Sequence, residues 1–133
     1  MKKIFLGLML LVSFGFGDTK LDLVNNILKS SKECRGESRY LKSANVKVCF
    51  KYIDYVEELL EKYPNDFMSS MAKNDLFNIG YRNAYAMCFK QNDWNCVKGI
   101  VEDIKKYGLS QNDLTDIATN TKKYENGKMI NLK

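Results

Sequence analysis

Hydrophobic side chains recur every three or four residues along most of the chain, which is the spacing of an amphipathic α-helix. The pattern predicts helices over about 20–32, 45–63, 76–90, 94–107 and 110–118. No segment alternates between polar and apolar residues in the way that a half-buried strand does, so no strand is predicted. The predicted fold class is therefore all-α, a small bundle of about five helices joined as hairpins.

The predicted helix over 76–90 is the most apolar of the five. Its polar strip contains only Asn78, Arg82, Asn83 and Lys90. A helix that is apolar around more than half of its circumference is covered on most sides. We therefore expect this helix to lie at the centre of the fold.

Residues that cap or terminate helices stand at the predicted helix ends. N-caps are predicted at Thr19 (a capping box with Asp22), Asp66, Asp75, Asp93 and Ser110 (a box with Asp113), and helix ends at Pro64 and Gly108. Between these helices, the polar stretch 31–45 is predicted to be a loop. The stretch from about 124 to 133 is predicted to be a loose tail.

The first 17 residues have the pattern of a signal peptide. A basic start, Met1–Lys3, precedes the apolar run 4–16, and small residues at 15 and 17 favour cleavage before Asp18. The run is too short to span a bilayer as a helix, which requires about 20 residues, although an uncleaved membrane anchor is the alternative. The sequence thus predicts a periplasmic or secreted protein with one domain over 18–133 and no stable membrane insertion after cleavage.

All four cysteines follow the leader, and an even number of cysteines in an oxidising compartment predicts two disulfides. Four cysteines allow three pairings. We expect Cys34–Cys49 and Cys88–Cys96, because each pair brackets a predicted junction between helices. The alternative is a four-cysteine zinc site, but the chain has no Cys-x-x-Cys pair and no histidine, so no metal is expected.

The sequence offers little catalytic chemistry. The absence of histidine excludes the usual general base and the Ser–His and Cys–His pairs. Paired carboxylates could serve a glycosidase, but the acidic residues of the second helix lie on its outward face, where Glu58 can pair with Lys62. These carboxylates are Asp54, Glu57, Glu58 and Glu61. No glycine-rich phosphate loop or calcium loop is present, so neither an enzyme nor a cofactor is predicted.

The charge does not indicate a nucleic-acid partner. The net charge of +5 falls to +3 when Lys2 and Lys3 leave with the leader, and the remaining basic residues form no predicted cluster. Nucleic-acid-binding domains normally show a clustered basic face. Because the sequence shows no catalytic, cofactor-binding or nucleic-acid-binding pattern, the predicted function is the binding of another protein.

Aromatic residues are frequent and supply the candidate binding residues. The helix over 45–63 has a second apolar stripe, Val48, Tyr52, Tyr55 and Leu59, beside its main seam. Two stripes require two neighbours, of which the second is either another helix of this chain or a partner protein. Trp94 lies at the mouth of the predicted hairpin. These five residues are the candidate partner-binding residues, and burial of Tyr55 and Trp94 in the core is the alternative.

The segment over 84–104 carries a family resemblance. It reads AYAMCFKQNDWNCVKGIVEDI and resembles one tetratricopeptide-type helical hairpin, with Lys90–Trp94 at the family's turn. The Cys-x7-Cys spacing is similar to that of secreted cysteine-rich members, where a disulfide ties neighbouring helices. Tyr85 and Val97 replace the family's glycine and alanine, and no second copy is present, so we interpret the likeness as convergent hairpin geometry.

The size, leader, helical pattern and disulfides together are similar to the profile of periplasmic immunity proteins, which bind and block a toxic enzyme, often a cell-wall amidase. This resemblance implies an inhibitor or immunity-type protein that blocks an exported enzyme through a rigid helical surface. The alternative is a structural or accessory subunit of an envelope or secretion assembly. The expected partner is thus an exported enzyme or an envelope component, with a second copy of the chain as a further option.

Overall fold

The structure, a computed structural model, describes residues 8–41 and 43–132, with side chains from residue 19 onward. It confirms the all-α fold class. The helices are α1 (Leu8–Ser38), α2 (Lys47–Lys62), α3 (Phe67–Asp75), a π-helical segment (Leu76–Tyr81), α4 (Arg82–Lys90), α5 (Trp94–Ile104), a 3₁₀ turn (Lys105–Tyr107) and α6 (Gln111–Ala118). Two short strands follow, β1 (Lys122–Glu125) and β2 (Lys128–Asn131).

The first helix is longer than predicted. Residues 1–7 of the predicted leader lie outside the described residues, and α1 continues from Leu8 through the predicted cleavage point. The capping box predicted at Thr19 and Asp22 is wrong, since both residues are inside this helix. In the part of the chain that the structure describes, no helix combines the length and the hydropathy needed to cross a membrane.

The loop predicted over 31–45 is also wrong for its first half, because α1 continues to Ser38. Serine hydroxyls in this stretch donate hydrogen bonds to carbonyls of the preceding turn. Ser31 Oγ lies 3.0 Å from the Leu28 carbonyl oxygen, and Ser38 Oγ lies 2.9 Å from that of Arg35. Serines bonded in this way are compatible with a helix interior, so the polar composition did not end the helix.

The core forms between α1, α2 and one long helix that we call the central helix, residues 67–90, in which α3, the π-helical segment and α4 follow without a break. Its start differs from the prediction. Asp66, which is predicted to cap a separate short turn, caps the central helix itself by accepting a hydrogen bond from the Met68 backbone N–H at 2.8 Å. The cap predicted at Asp75 is wrong because the helix passes through it.

The π-helical segment packs very closely against α2 at Gly80. A Cβ added to Gly80 would lie 2.8 Å from Ile53 Cγ1 and 3.0 Å from Tyr52 Cδ2. Only glycine permits this approach of the two helices. Phe77 and Tyr81 are buried, and so are five residues of α4, namely Asn83, Ala84, Tyr85, Met87 and Cys88. This burial confirms the predicted central position of this helix.

The remaining helix ends agree with the prediction. α2 ends at Lys62, just before Pro64, and the Asp93 side chain caps α5. Gly108 adopts the left-handed conformation with φ +74°, and Ser110 and Asp113 form the predicted capping box of α6.

The predicted loose tail is wrong, because residues 122–131 form an antiparallel hairpin with Tyr124 opposite Met129. Its turn has positive φ at both Asn126 and Gly127, the geometry that an Asn-Gly pair favours in two-residue hairpins. Tyr124 is only 3% exposed, and its ring centroid lies 5.4 Å from that of Phe77. The hairpin therefore covers one side of the central helix.

Candidate protein-binding site at the helical hairpin

Two disulfides fix the ends of neighbouring helices. Cys34 of α1 is bonded to Cys49 of α2 with a Cα–Cα distance of 4.6 Å, and Cys88 of α4 is bonded to Cys96 of α5 with a distance of 5.8 Å. This is the predicted pairing. Because all four sulfurs are used in disulfides, no thiolate is left for the alternative zinc site.

The side-chain amide of Gln91 links the α4–α5 turn to the connection between α1 and α2. Gln91, in the turn between α4 and α5, donates hydrogen bonds from Nε2 to the backbone carbonyls of Leu41, at 3.1 Å, and Ala44, at 2.8 Å. Both acceptors belong to the connection between α1 and α2. The α4–α5 turn is thus held by its own disulfide and by the neighbouring connection.

Three aromatic rings form a continuous surface beside this turn, which we call the aromatic ledge: Tyr85, Phe89 and Trp94. The Phe89 and Trp94 rings meet edge to face with centroids 5.2 Å apart, and the Tyr85 and Phe89 centroids are 5.7 Å apart. Tyr85 is buried and its hydroxyl accepts a hydrogen bond from Gln111 Nε2 of α6 at 3.1 Å. The two outer rings are accessible, Phe89 at 45% and Trp94 at 53%.

The backbone around Trp94 is fixed on both sides. The Asp93 N–H donates to the Cys88 carbonyl at 2.9 Å, and Asp93 Oδ1 accepts from the Cys96 N–H at 3.2 Å. Trp94 follows directly as the first residue of α5. The Asp93 cap and the Cys88–Cys96 disulfide therefore fix the backbone position of Trp94. Binding of a partner has to order only the side-chain torsions of Trp94.

The five candidate partner-binding residues differ in solvent exposure in the structure. Tyr52 and Leu59 are each 1% exposed, so their assignment to a partner surface is wrong. Val48 and Tyr55 are half-buried against the same core. The second apolar stripe of α2 is covered by α1 and the central helix, so its neighbour belongs to this chain and is not a partner protein. Of the five candidates, only Trp94 remains well exposed.

Phe89 is not among the five candidates, because the sequence pattern places it on the apolar, buried face of the 76–90 helix. A signal for its exposure is nevertheless present in the sequence. Phe89 comes just before the polar turn and Trp94 just after it. Residues that flank a helical turn on both sides lie at the same end of the hairpin, where fewer neighbouring elements cover them.

A second apolar surface lies between α1 and α3, and we call it the α1–α3 groove. It encloses about 100 Å³ and is lined by Val24, Leu28, Met68, Met71 and Ile79, among other residues. At one end Lys20 of α1 forms an ion pair with Asp66, and the hydrogen bond from Lys20 lowers the pKa of Asp66. Phe67, the first residue of α3, is 74% exposed.

The acidic residues of α2 line a wide, open depression of about 710 Å³ together with Lys106 and Tyr107. Glu57 accepts hydrogen bonds from Lys106 and from the Tyr107 hydroxyl, the latter at 2.7 Å, and Glu58 pairs with Lys62 at 2.7 Å as predicted. Burial, and then the charge of Glu57, raises the pKa of Asp54. The contacts of Glu57 connect α2 to the 3₁₀ turn that follows α5, whereas the Glu58–Lys62 pair lies within α2.

No protein-family model, curated protein or solved structure matches the chain. The resemblance of residues 84–104 to a tetratricopeptide-type unit therefore depends on those residues alone. Within them, α4 and α5 form a helical hairpin around a turn at 91–93, and Val97 and Ile104 are buried.

Proposed function

We propose that this chain is an exported protein-binding domain, an inhibitor or immunity-type protein that uses the aromatic ledge to block a partner enzyme. The observation that carries the proposal is the exposure of Phe89 and Trp94 on a turn held by the Cys88–Cys96 disulfide. Two disulfides are compatible with an oxidising compartment outside the cytoplasm.

The composition of the ledge supports this use. Tryptophan is among the residues that most often dominate the binding energy of protein interfaces, and aromatic residues are enriched at interface centres. The edge-to-face contact between Phe89 and Trp94 makes the two rings one contiguous apolar surface. Exposed Lys90 and Asp93 lie beside it and supply the polar rim that such interfaces carry.

The rigidity of the hairpin supports an inhibitor in particular. Ordering a mobile segment on binding costs free energy, and a surface that is already fixed avoids that cost. Here the disulfide, the Asp93 cap and the Gln91 hydrogen bonds hold the turn before any partner arrives. A small protein that must occlude an active site tightly benefits from this preorganisation.

The test is affinity capture with the oxidised chain from a cell-envelope extract, comparing wild type with two variants. We expect one soluble exported enzyme in a discrete complex, and we expect Trp94→Ala to weaken its binding by at least about 30-fold, since a hot-spot truncation costs about 2 kcal/mol or more. Phe67→Ala is the matched control, because it removes a still more exposed aromatic ring from another surface. Equal capture by wild type and Trp94→Ala contradicts the assignment of the ledge.

The alternative, a subunit of an envelope or secretion assembly, has its own structural support in the α1–α3 groove. Leu28 and Met71 are exposed along its edge, and methionine side chains adapt to varied apolar partners. This function predicts that the chain co-fractionates with large membrane assemblies. It also predicts that Met71→Ala or Phe67→Ala releases the chain from them, while Trp94→Ala has no effect.

A further inference from the structure

Three arginines line one cleft between the end of α1 and the central helix. Arg35 and Arg39 come from the end of α1 and the turn after it, and Arg82 is the first residue of α4. They are the only arginines among the 21 basic residues of the chain. The cleft, which we call the arginine cleft, has a volume of about 400 Å³ and is not lined by any lysine.

Within residues 8–41 and 43–132, no carboxylate forms an ion pair with an arginine of the cleft. The other lining residues are Ser38, Asn78, Ile79 and Asn83, none of them acidic. In that part of the chain every ion pair uses a lysine, and no arginine forms one. Asp75 is near enough to interact electrostatically with Arg35, but it does not line the cleft and forms no ion pair with Arg35.

The wall of the cleft is ordered by its own hydrogen bonds. Asn83, which is largely buried, donates from Nδ2 to the Ile79 carbonyl at 2.7 Å, and Asn78 donates to the Asn74 carbonyl at 3.2 Å. Asn78 and Ile79 belong to the π-helical segment, a conformation that is rare and is frequently found at functional sites. Arg82 follows this segment directly, so its position on the cleft depends on it.

The residue type points to the chemistry of the ligand. A guanidinium group presents a planar fork of N–H donors that matches the oxygens of a phosphate or carboxylate, whereas lysine is a point charge. A phosphate group has three terminal acceptor oxygens and a charge close to −2. It can therefore engage guanidinium groups from two directions, α1 and α4, while a single carboxylate has only two oxygens.

We propose that the arginine cleft binds a phosphate-type oxyanion, either a soluble phosphate compound or a phospholipid headgroup. The bound anion supplies the counter-charge that the three arginines lack and joins the end of α1 to the central helix. This site shares no residue with the aromatic ledge, so the proposal stands apart from the proposed inhibitory function.

The test is calorimetric titration of the oxidised chain with pyrophosphate, supported by thermal unfolding. We expect saturable binding of one anion and a higher melting temperature in its presence. Arg82→Gln and Arg35→Gln should each weaken binding at least tenfold, and Arg82→Lys should weaken it less. Lys98→Gln is the matched control, because it removes the same charge from an exposed lysine outside the cleft and should leave binding unchanged.

Two further arms complete the test. Vesicles with phosphatidic acid, whose headgroup is a phosphate with three terminal oxygens, assign the ligand to a lipid headgroup if they bind wild type but not Arg82→Gln. They assign it to a soluble anion if they bind neither. Without anion, Arg82→Gln should melt no lower than wild type, because Arg82 makes no ion pair that the substitution would break. The proposal is overturned if pyrophosphate shows no saturable binding, or if Lys98→Gln weakens binding as much as Arg82→Gln.

Discussion

Replacing Gly80 by alanine tests how closely the central helix packs against α2. The added methyl group would lie 2.8 Å from Ile53 Cγ1 and 3.0 Å from Tyr52 Cδ2, and both of these side chains are buried. Neither atom is the free end of a flexible chain, so the helices must move apart. Overpacking of this kind costs about 1–3 kcal/mol. Alanine recovers about 0.4–1 kcal/mol by restricting the unfolded chain.

The net effect is a loss of about 1–2 kcal/mol in the free energy of unfolding, which for a chain of this size lowers the melting temperature by about 4–8 °C. Gly99→Ala is the matched control. Gly99 also lies within a helix, but its added Cβ would have no neighbour within 4 Å, so the same substitution should stabilise by about 0.5–1 kcal/mol. Thermal unfolding followed by circular dichroism measures both. If Gly80→Ala stabilises as much as Gly99→Ala, the close packing described here is incorrect.

Three further variants test other parts of the fold. Tyr124→Ala removes a buried ring from Phe77 and should lower the free energy of unfolding in urea by about 3 kcal/mol, whereas a loose tail would show no change. Asp75→Asn should raise the melting temperature at pH 7 only slightly, because Asp75 is solvent-exposed and only the partial burial of its carboxyl group raises its pKa. This gain should shrink as the pH falls toward the ordinary value of 3.8, and a pH-independent gain would contradict this reasoning. The double variant Cys88→Ala, Cys96→Ala removes the disulfide that closes a loop with a sequence separation of 8. It should lower the free energy of unfolding by about 2.5 kcal/mol in the chain-entropy model. An unchanged urea midpoint would count against a structural role for this disulfide.

The helical class, the disulfide pairing and several helix ends could be predicted because short-range signals determine them. Asp93, Gly108 and the Ser110 capping box act on backbone groups within one turn, and the structure has them as predicted. The hairpin over 122–131 also has a local signal, the Asn126-Gly127 pair. Its two four-residue strands, KKYE and KMIN, do not alternate between polar and apolar residues, so the signal expected of a strand is absent.

The remaining differences depend on contacts between distant residues. α1 continues through a polar stretch because its serines bond to their own helix and because Cys34 is anchored to α2. The helix over 45–63 shows two apolar stripes, but its sequence could not say that α1 would cover the second one. Likewise, Arg82 is 43 residues beyond Arg39 in the sequence, and only the fold brings these two arginines to one cleft.

The central functional claim is that the aromatic ledge blocks a partner enzyme, and the most direct measurement is a titration of the captured enzyme's activity with the oxidised chain. We predict that activity falls to its limit at one chain per enzyme, that Trp94→Ala shifts the titration by at least about 30-fold, and that Phe67→Ala leaves it unchanged. Full activity of the enzyme in saturating complex with the wild-type chain would contradict the claim.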